Sequence, residues 1–440
     1  MKIMPKFKKG ENKEKKMVKK ETKKVKVKKG KSATLIICEK PQAAEKIAAA
    51  LSGAKDDKVT DGNKLSYYEF ERDGRRFLVG CAVGHLFGIQ QIAARGPFPN
   101  YEVEWRPVFE RKSKASEFTK KYYDVLKKLA GQSDKFIVAT DFDVEGEVIG
   151  WNVLRFIAKE KDCKRMKFST LTKDALEESY NNLMPTLNWG SAIAGETRHY
   201  LDWFYGINLS RGLMKALSST GHFRILSIGR VQGPALKIVY DREMEIKKFK
   251  PEVYWQVFLL VKDINGEQIE VMYPKDLTKK SELLQFKHLK GKKGIASTDI
   301  KDHGVAPPLP FDLTNLQTES YRLFKLTPTQ TMQAAQKLYL AGVISYPRTS
   351  SQNYPEDIGY DNILKKLKKY TTLVKYAANK KPVQGKKKDP AHPAIYPTGE
   401  MGKIGAGEKK IYDLIVKRFI LVFVSLRLLK ARKLLLILMG

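Results

Sequence analysis

The sequence predicts an α/β domain built on a parallel sheet, followed by mainly helical domains and a short β-rich segment. Three observations carry this. Between residues 34 and 183, apolar strand-like runs alternate with helical patterns, the order expected of a parallel sheet with helices on its faces. From residue 197 onward, helical periodicity dominates. Asn265-Gly266 separates two further strand-like runs, a strong local hairpin signal.

In order, residues 34–38 read as a strand and 41–51 as a helix, with Pro41 suited to the first helical turn. Residues 66–72 and 76–82 form a hairpin across Asp73-Gly74. A short buried strand is expected at 136–140, then a helix from about 145 to 159. The strand–helix order repeats at 166–170 and 173–183. Helices are expected at 197–217 and 233–247, and a hairpin at 254–262 and 267–273. A Pro-rich link at 307–310 opens a helical region at 313–340. Residues 365–388, strongly basic and punctuated by Pro and Gly, read mostly as a mobile loop, and 409–424 as a helix. The expected divisions are a disordered Lys-rich tail (1–32), the sheet domain (33–185), a helical domain (186–248), a partial β arch (249–305), a second helical domain (306–424) and a tail (425–440).

Charge narrows the function. Lys and Arg total 82 against 48 Asp and Glu, a net +34; residues 1–32, with 15 Lys and 3 Glu, hold +12 of it and leave +22 on the rest. A body that basic attracts a polyanion, foremost nucleic acid, with a membrane surface as the rival. Three cysteines (Cys38, Cys81, Cys163), none in a CxxC pair, exclude a disulfide scaffold and a cysteine-rich zinc module. With no signal-peptide core and no 18-residue apolar run, the chain reads as soluble and intracellular. Gly30-Lys31-Ser32 is not a P-loop, because Val25 stands in place of its first glycine and the triplet precedes its strand. ATP hydrolysis is therefore not expected.

The sharpest constellation is Asp141-Phe142-Asp143-Val144-Glu145-Gly146-Glu147, just past the strand at 136–140. Carboxylates at alternate positions offer hard oxygens suited to Mg²⁺. Glu39 and Lys40 also follow a strand, and ligands collect at the carboxyl ends of parallel strands. If the two strands are neighbours, Glu39 faces the acids, placed for proton transfer in phosphoryl chemistry. The candidate metal set is Glu39, Asp141, Asp143 and Glu145. Capping of a helix N-terminus is the competing reading, strongest for Glu147.

These residues resemble a known module. Glu39-Lys40-Pro41 after one apolar strand and Asp-x-Asp-x-Glu-Gly-Glu after another are similar to the TOPRIM domain of topoisomerases and primases. Gly84-His85-Leu86 is similar to the Gly-His-Leu turn of type IA topoisomerases. Val144 departs from the Arg often found before the motif's first Glu. The stretch Gly342-Val343-Ile344-Ser345-Tyr346-Pro347-Arg348-Thr349-Ser350 resembles the active-site segment of type IA DNA topoisomerases, with Ser350 where many members carry Asp. By that resemblance Tyr346 is the nucleophile and Arg348 holds the scissile phosphate. Asp389-Pro390-Ala391-His392-Pro393-Ala394-Ile395 resembles the family's Asp-Ala-His-x-Ala-Ile motif, which implies a catalytic role for His392. Ser227, Arg230 and Gln232 fall in a stretch that resembles the family's Ser-x-Gly-Arg-Val-Gln segment, which lines its single-strand groove; Arg198 and Asp202 fall where the family has its Arg-x-x-x-Asp helix, and Arg211 where a basic residue follows. His85, His199 and His303 are expected to be ordinary surface or core histidines.

The resemblance implies a multidomain type IA core with an N-terminal TOPRIM sheet, helical domains and part of a β-rich arch. It implies ATP-independent relaxation of negatively supercoiled DNA through a 5′-phosphotyrosine, with Glu39 and Lys40 assisting and Mg²⁺ as cofactor. The expected location is the cytoplasm with the nucleoid, or the nucleus of a eukaryote. The alternatives are a TOPRIM nuclease with no covalent step and a chain that only binds single-stranded nucleic acid. Residues 425–440 resemble no segment expected to follow, so the chain reads as truncated, frameshifted, or one half of a split enzyme with a separate C-terminal topoisomerase polypeptide. A docking amphipathic helix is the ordinary alternative for that tail.

Overall fold

The computed structural model describes residues 32–438, apart from 63, 64, 94–97, 112, 113, 403 and 426; the Lys-rich tail up to Lys31 lies outside the described residues. Strand β1 (Ala33–Cys38) is buried along its whole length, as its unbroken apolar run requires of a strand covered on both faces. Helix α1 (Pro41–Leu51) starts on Pro41, and Ala43, Ala44, Ala48 and Ala50 bring it close to the sheet. Strands β2 (Asp57–Thr60), β3 (Ser66–Arg72) and β4 (Arg75–Cys81) form an antiparallel meander. Asp73 and Gly74 turn it with φ of 53° and 71°, which matches the right-handed twist of the flanking strands. A ribbon of β5 (Phe87–Gln91) and β6 (Val103–Pro107) precedes helix α2 (Lys114–Ala130).

The sheet is completed by β7 (Ser133–Val138), which is followed by helix α3 (Val144–Val153), and by β8 (Lys164–Arg165). Its order is β2-β3-β4-β1-β7-β8, with β1 parallel to both β4 and β7. Ile36 and Ile137 face α1 and helix α4 (Lys173–Asn181) on one side, while Leu35, Ile37 and Val138 face α2 and α3 on the other. The strand expected at 166–170 is a correction: pairing stops at Arg165. Met166, Phe168 and Thr170 are nevertheless buried, so their period-two burial belongs to a loop wedged between two domains.

Helix α5 (Trp189–Trp203) passes through a π-helical stretch, Phe204–Leu209, into α6 (Ser210–Ser218), starting earlier than its periodicity suggested. Helix α7 (Gln232–Lys248) leads to the hairpin of β9 (Phe258–Lys262) and β10 (Gln268–Met272). Neither α6 nor α7 contains a buried residue. After β11 (Gly294–Val305), four helices build the last domain: α8 (Leu313–Phe324), α9 (Pro328–Leu340), α10 (Tyr360–Leu367) and α11 (Ala406–Leu421). Its core, with Tyr346, Ile395 and Phe419, is continuous with the α1 side of the sheet.

Two further expectations are corrected. Residues 365–388 are not one mobile loop: α10 and a 3₁₀ turn at Thr372–Tyr376 bury Leu367 and Val374. The tail does not form the amphipathic helix offered as its ordinary alternative. Strand β12 (Arg427–Leu438) pairs antiparallel with β11 from Val305↔Arg427 to Gly294↔Leu438. No helix among the described residues is long and apolar enough to cross a membrane.

Candidate active site

The carboxyl ends of β1 and β7 are adjacent, so Glu39-Lys40 and the acidic loop meet as the sequence requires. Lys40 Nζ lies 3.1 Å from Glu39 Oε1 and 2.5 Å from Asp141 Oδ2. Burial, then the Asp141 charge, raises the Glu39 carboxyl above its ordinary pKa. Asp143 caps α3, its Oδ1 accepting from Gly146 N at 2.7 Å. Only glycine fits at 146, because a Cβ there would stand 2.0 Å from the Asp141 carbonyl oxygen.

The last domain brings a tyrosine onto these acids. Gly342, with φ of 79°, turns the chain out of α9, and the next stretch docks through Tyr346 N donating to Ser169 O at 2.8 Å. The Tyr346 hydroxyl donates to Asp143 Oδ2 at 2.5 Å, and its side chain is buried. Burial, followed by the Asp141 and Asp143 charges, pushes its phenol far above 10, so Tyr346 keeps its proton in this arrangement. The His392 ring lies 4.5 Å from that of Tyr346, and its Nδ1 is 3.0 Å from Ser169 Oγ. Burial lowers the imidazole to about 4, leaving it neutral at pH 7. Its Nε2 is buried without a hydrogen-bond partner among the described residues. Arg348 is exposed and has no ion pair among the described residues. Ser350 has a neighbouring carboxylate after all: its Oγ donates to Asp389 Oδ2 at 3.0 Å.

Glu145 does not join Asp141 and Asp143, which corrects the expected metal set. Helix α3 has already begun at Val144, and its turn points the Glu145 carboxylate at α5. There Oε2 meets His85 Nε2 at 3.0 Å and His199 Nε2 at 3.1 Å, while Oε1 meets Arg198 at 3.1 Å. The hydrogen bonds of His199 and then His85 hold this carboxyl well below the usual range. His85 and His199 are thus paired with a site residue, contrary to expectation; the side chain of His303 lies outside the described residues. The His85–Glu145–His199 trio has metal-ligand spacing. The Arg198 cation on the same carboxylate, and a buried His85 Nδ1 without a partner, disfavour a metal there.

The groove residues sit apart. Asp202 holds Arg230 at 2.8 Å and Arg198 at 3.6 Å, and Arg211 donates to Gln91 at 2.8 Å. Ser227 and Gln232 are exposed. Ion pairs this open to solvent are weak, so the arginines can exchange them for phosphate.

Sequence reasoning missed three features. Tyr339, fully buried on α9, donates from its hydroxyl to Asp141 Oδ1 at 3.1 Å. Lys46 Nζ donates to Ala341 O at 2.8 Å, tying α1 to the end of α9. Arg165, fully buried, pairs with buried Glu147 at 2.7 Å and donates to the carbonyls of Val138, Met166 and Asp141, fixing the acidic loop from behind. A Glu on the helix before a strand-end Arg is the one sequence hint of that pair, and it says nothing of burial.

A sheet with acids at neighbouring strand ends, met by a tyrosine from a second domain, points to a protein of the Toprim class. Residues 34–171 match the Toprim domain, and residues 186–436 match the DNA topoisomerase family. The chain belongs to the type IA DNA topoisomerases. The match takes in most of β12, the segment expected to lie outside the family. DNA topoisomerase 1 of Pyrococcus horikoshii is 43% identical over 406 residues, 89% of this chain and 59% of that protein. DNA topoisomerase 1 of Methanocaldococcus jannaschii is 42% identical, covering 88% of this chain and 52% of its own length. The chain therefore spans little more than half the length of these relatives. Full-length topoisomerase I from Thermotoga maritima shares the fold, with a TM-score of 0.64 at 24% identity over 92% of this chain and 66% of its own.

Proposed function

We propose that this chain cleaves single-stranded DNA through Tyr346 and reseals it, relaxing negatively supercoiled DNA without ATP. The observation that carries the reading is the Tyr346 hydroxyl resting on Asp143 at the junction of two domains, beside Glu39, Lys40 and His392. The phenol oxygen attacks phosphorus as the bond to the 3′ oxygen breaks. The phenolic proton passes to Asp143, and Glu39, whose carboxyl burial raises above its ordinary pKa, protonates the departing 3′ oxygen. Lys40 and Arg348 offset the charge of the phosphate, and neutral His392 holds one of its oxygens. Resealing runs these steps backward.

Glu39, Asp141 and Asp143 suit Mg²⁺: they are hard oxygen donors gathered at the carboxyl ends of β1 and β7, and the charges of Asp141 and Asp143 act on Glu39. The ion would neutralise that charge and orient the phosphate during resealing. We take residues 33–185 as the TOPRIM domain, 186–305 as the groove and partial arch, and 306–424 as the tyrosine domain. Arg198, Asp202, Arg211, Ser227, Arg230 and Gln232 then line the approach of the strand, in a protein of the nucleoid or nucleus.

The test is a denaturing gel of the chain with end-labelled single-stranded DNA and Mg²⁺. A protease-sensitive adduct that vanishes with Tyr346→Phe supports the reading; strand breaks with free ends that persist in that variant would replace it with a nuclease. The absence of buried residues on α6 and α7 favours a second reading. In that case the chain binds single strands but needs a separate C-terminal topoisomerase polypeptide for strand passage.

A further inference from the structure

We infer that Lys386, Lys387 and Lys388, joined by Lys167 from the sheet domain, form a phosphate track holding the strand beside the scissile bond. This rests on the cleavage reading above and adds residues that it does not use. The track is built into the fold. Gly385 N donates to Gln352 O at 2.8 Å, and Gln352 N donates to Lys387 O at 2.9 Å. Asn353 Nδ2 donates to Gly385 O at 2.9 Å and to Lys387 O at 2.7 Å. The triplet is thereby fixed against the chain just beyond Arg348, and Asp389, the next residue, receives Ser350 and leads to His392.

The lysines lack ordinary partners. All three are exposed. Lys387 is 3.9 Å from Asp312, a carboxylate already occupied by Gln352 and Asn315. Lys386 and Lys388 meet no carboxylate among the described residues. Elsewhere on the same domain Lys337, Lys366 and Lys381 each pair with a glutamate at 2.6–2.7 Å. Lys167 arrives from across the domain junction: its Nζ donates to Pro390 O at 3.3 Å and lies 5.0 Å from the Phe142 ring, between the two metal-site aspartates. Cations converging from two domains on one pinned segment, with no carboxylate among the described residues nearer than the shared Asp312 at 3.9 Å, fit a phosphodiester backbone, whose recognition needs no base contact.

The experiment measures binding of the full chain to a fluorescein-labelled oligo-dT across a range of KCl. Each phosphate contact on a single strand contributes about 0.7 to the salt slope. K386A/K387A/K388A is therefore expected to flatten the slope by about 2 and weaken binding about a hundredfold at 0.1 M salt. K386R/K387R/K388R should keep the slope. An unchanged slope in the alanine variant overturns the track, even if the wild-type chain forms the Tyr346 adduct. A flattened slope without any adduct leaves the track standing and removes the cleavage reading.

Discussion

Arg165→Met tests the support behind the acidic loop. Arg165 and Glu147 are both essentially sealed from solvent, and the guanidinium also serves three carbonyls, one of them that of Asp141. Methionine keeps the apolar bulk but leaves a buried carboxylate and three acceptors without their donor. Breaking a buried pair from one side costs about 3–5 kcal/mol. The cost depends on pH, with a definite sign. Burial already raises Glu147 above its ordinary pKa despite Arg165, and removing the cation raises it further. The folded variant then favours the protonated carboxyl, so the penalty is largest at pH 8 and shrinks toward pH 5 by up to about 1.4 kcal/mol per unit. Adding Glu147→Leu should recover much of the loss, because no buried charge remains. Urea unfolding at both pH values reads the wild type and both variants. A cost below about 1 kcal/mol at pH 8, or a double variant no better than the single one, would refute the reasoning.

Two further predictions concern stability. His392 is depressed from about 6.5 to about 4, so the folded state refuses a proton that the unfolded chain accepts. That stabilisation is full above pH 6.5 and fades as pH falls to 4, by about 3 kcal/mol. Denaturation of His392→Gln at pH 7 and pH 4 should show a correspondingly smaller difference than the wild type, and an equal difference contradicts the assignment. Gly195→Ala would place a Cβ 2.4 Å from Val148 Cγ2 and 2.8 Å from Val144 O, forcing α5 off α3. Overpacking of this kind costs about 1–3 kcal/mol, and unchanged thermal melting would show that the two helices are not in tight contact.

Much of the site is legible in the sequence because strand ends are. Glu39, Lys40, Asp141 and Asp143 follow apolar runs, and parallel neighbours must bring such ends together. Glu145 was misplaced because alternate spacing reads as one face only while the chain is extended; once α3 starts at Val144, each residue turns by about 100°. Tyr339 is invisible for a different reason. It occupies an ordinary core position of an amphipathic helix, and only the docking of α9 against the sheet domain gives its hydroxyl a carboxylate. Arg165 reads as surface charge because nothing local shows that Glu147 will be buried beside it. The pairing of β11 with β12 joins residues more than 120 positions apart, beyond the reach of any local pattern.

The contacts that complete the active site all cross one boundary. Tyr346 reaches Asp143 and Ser169, Tyr339 reaches Asp141, His392 meets Ser169, and Lys46 reaches Ala341. At about 1 kcal/mol net for each, these five hydrogen bonds add about 5 kcal/mol to the apolar packing that the two domains already share. On the proposed reading, parting this boundary would carry Tyr346 away from Asp143, so cleavage and resealing would both be confined to the closed arrangement.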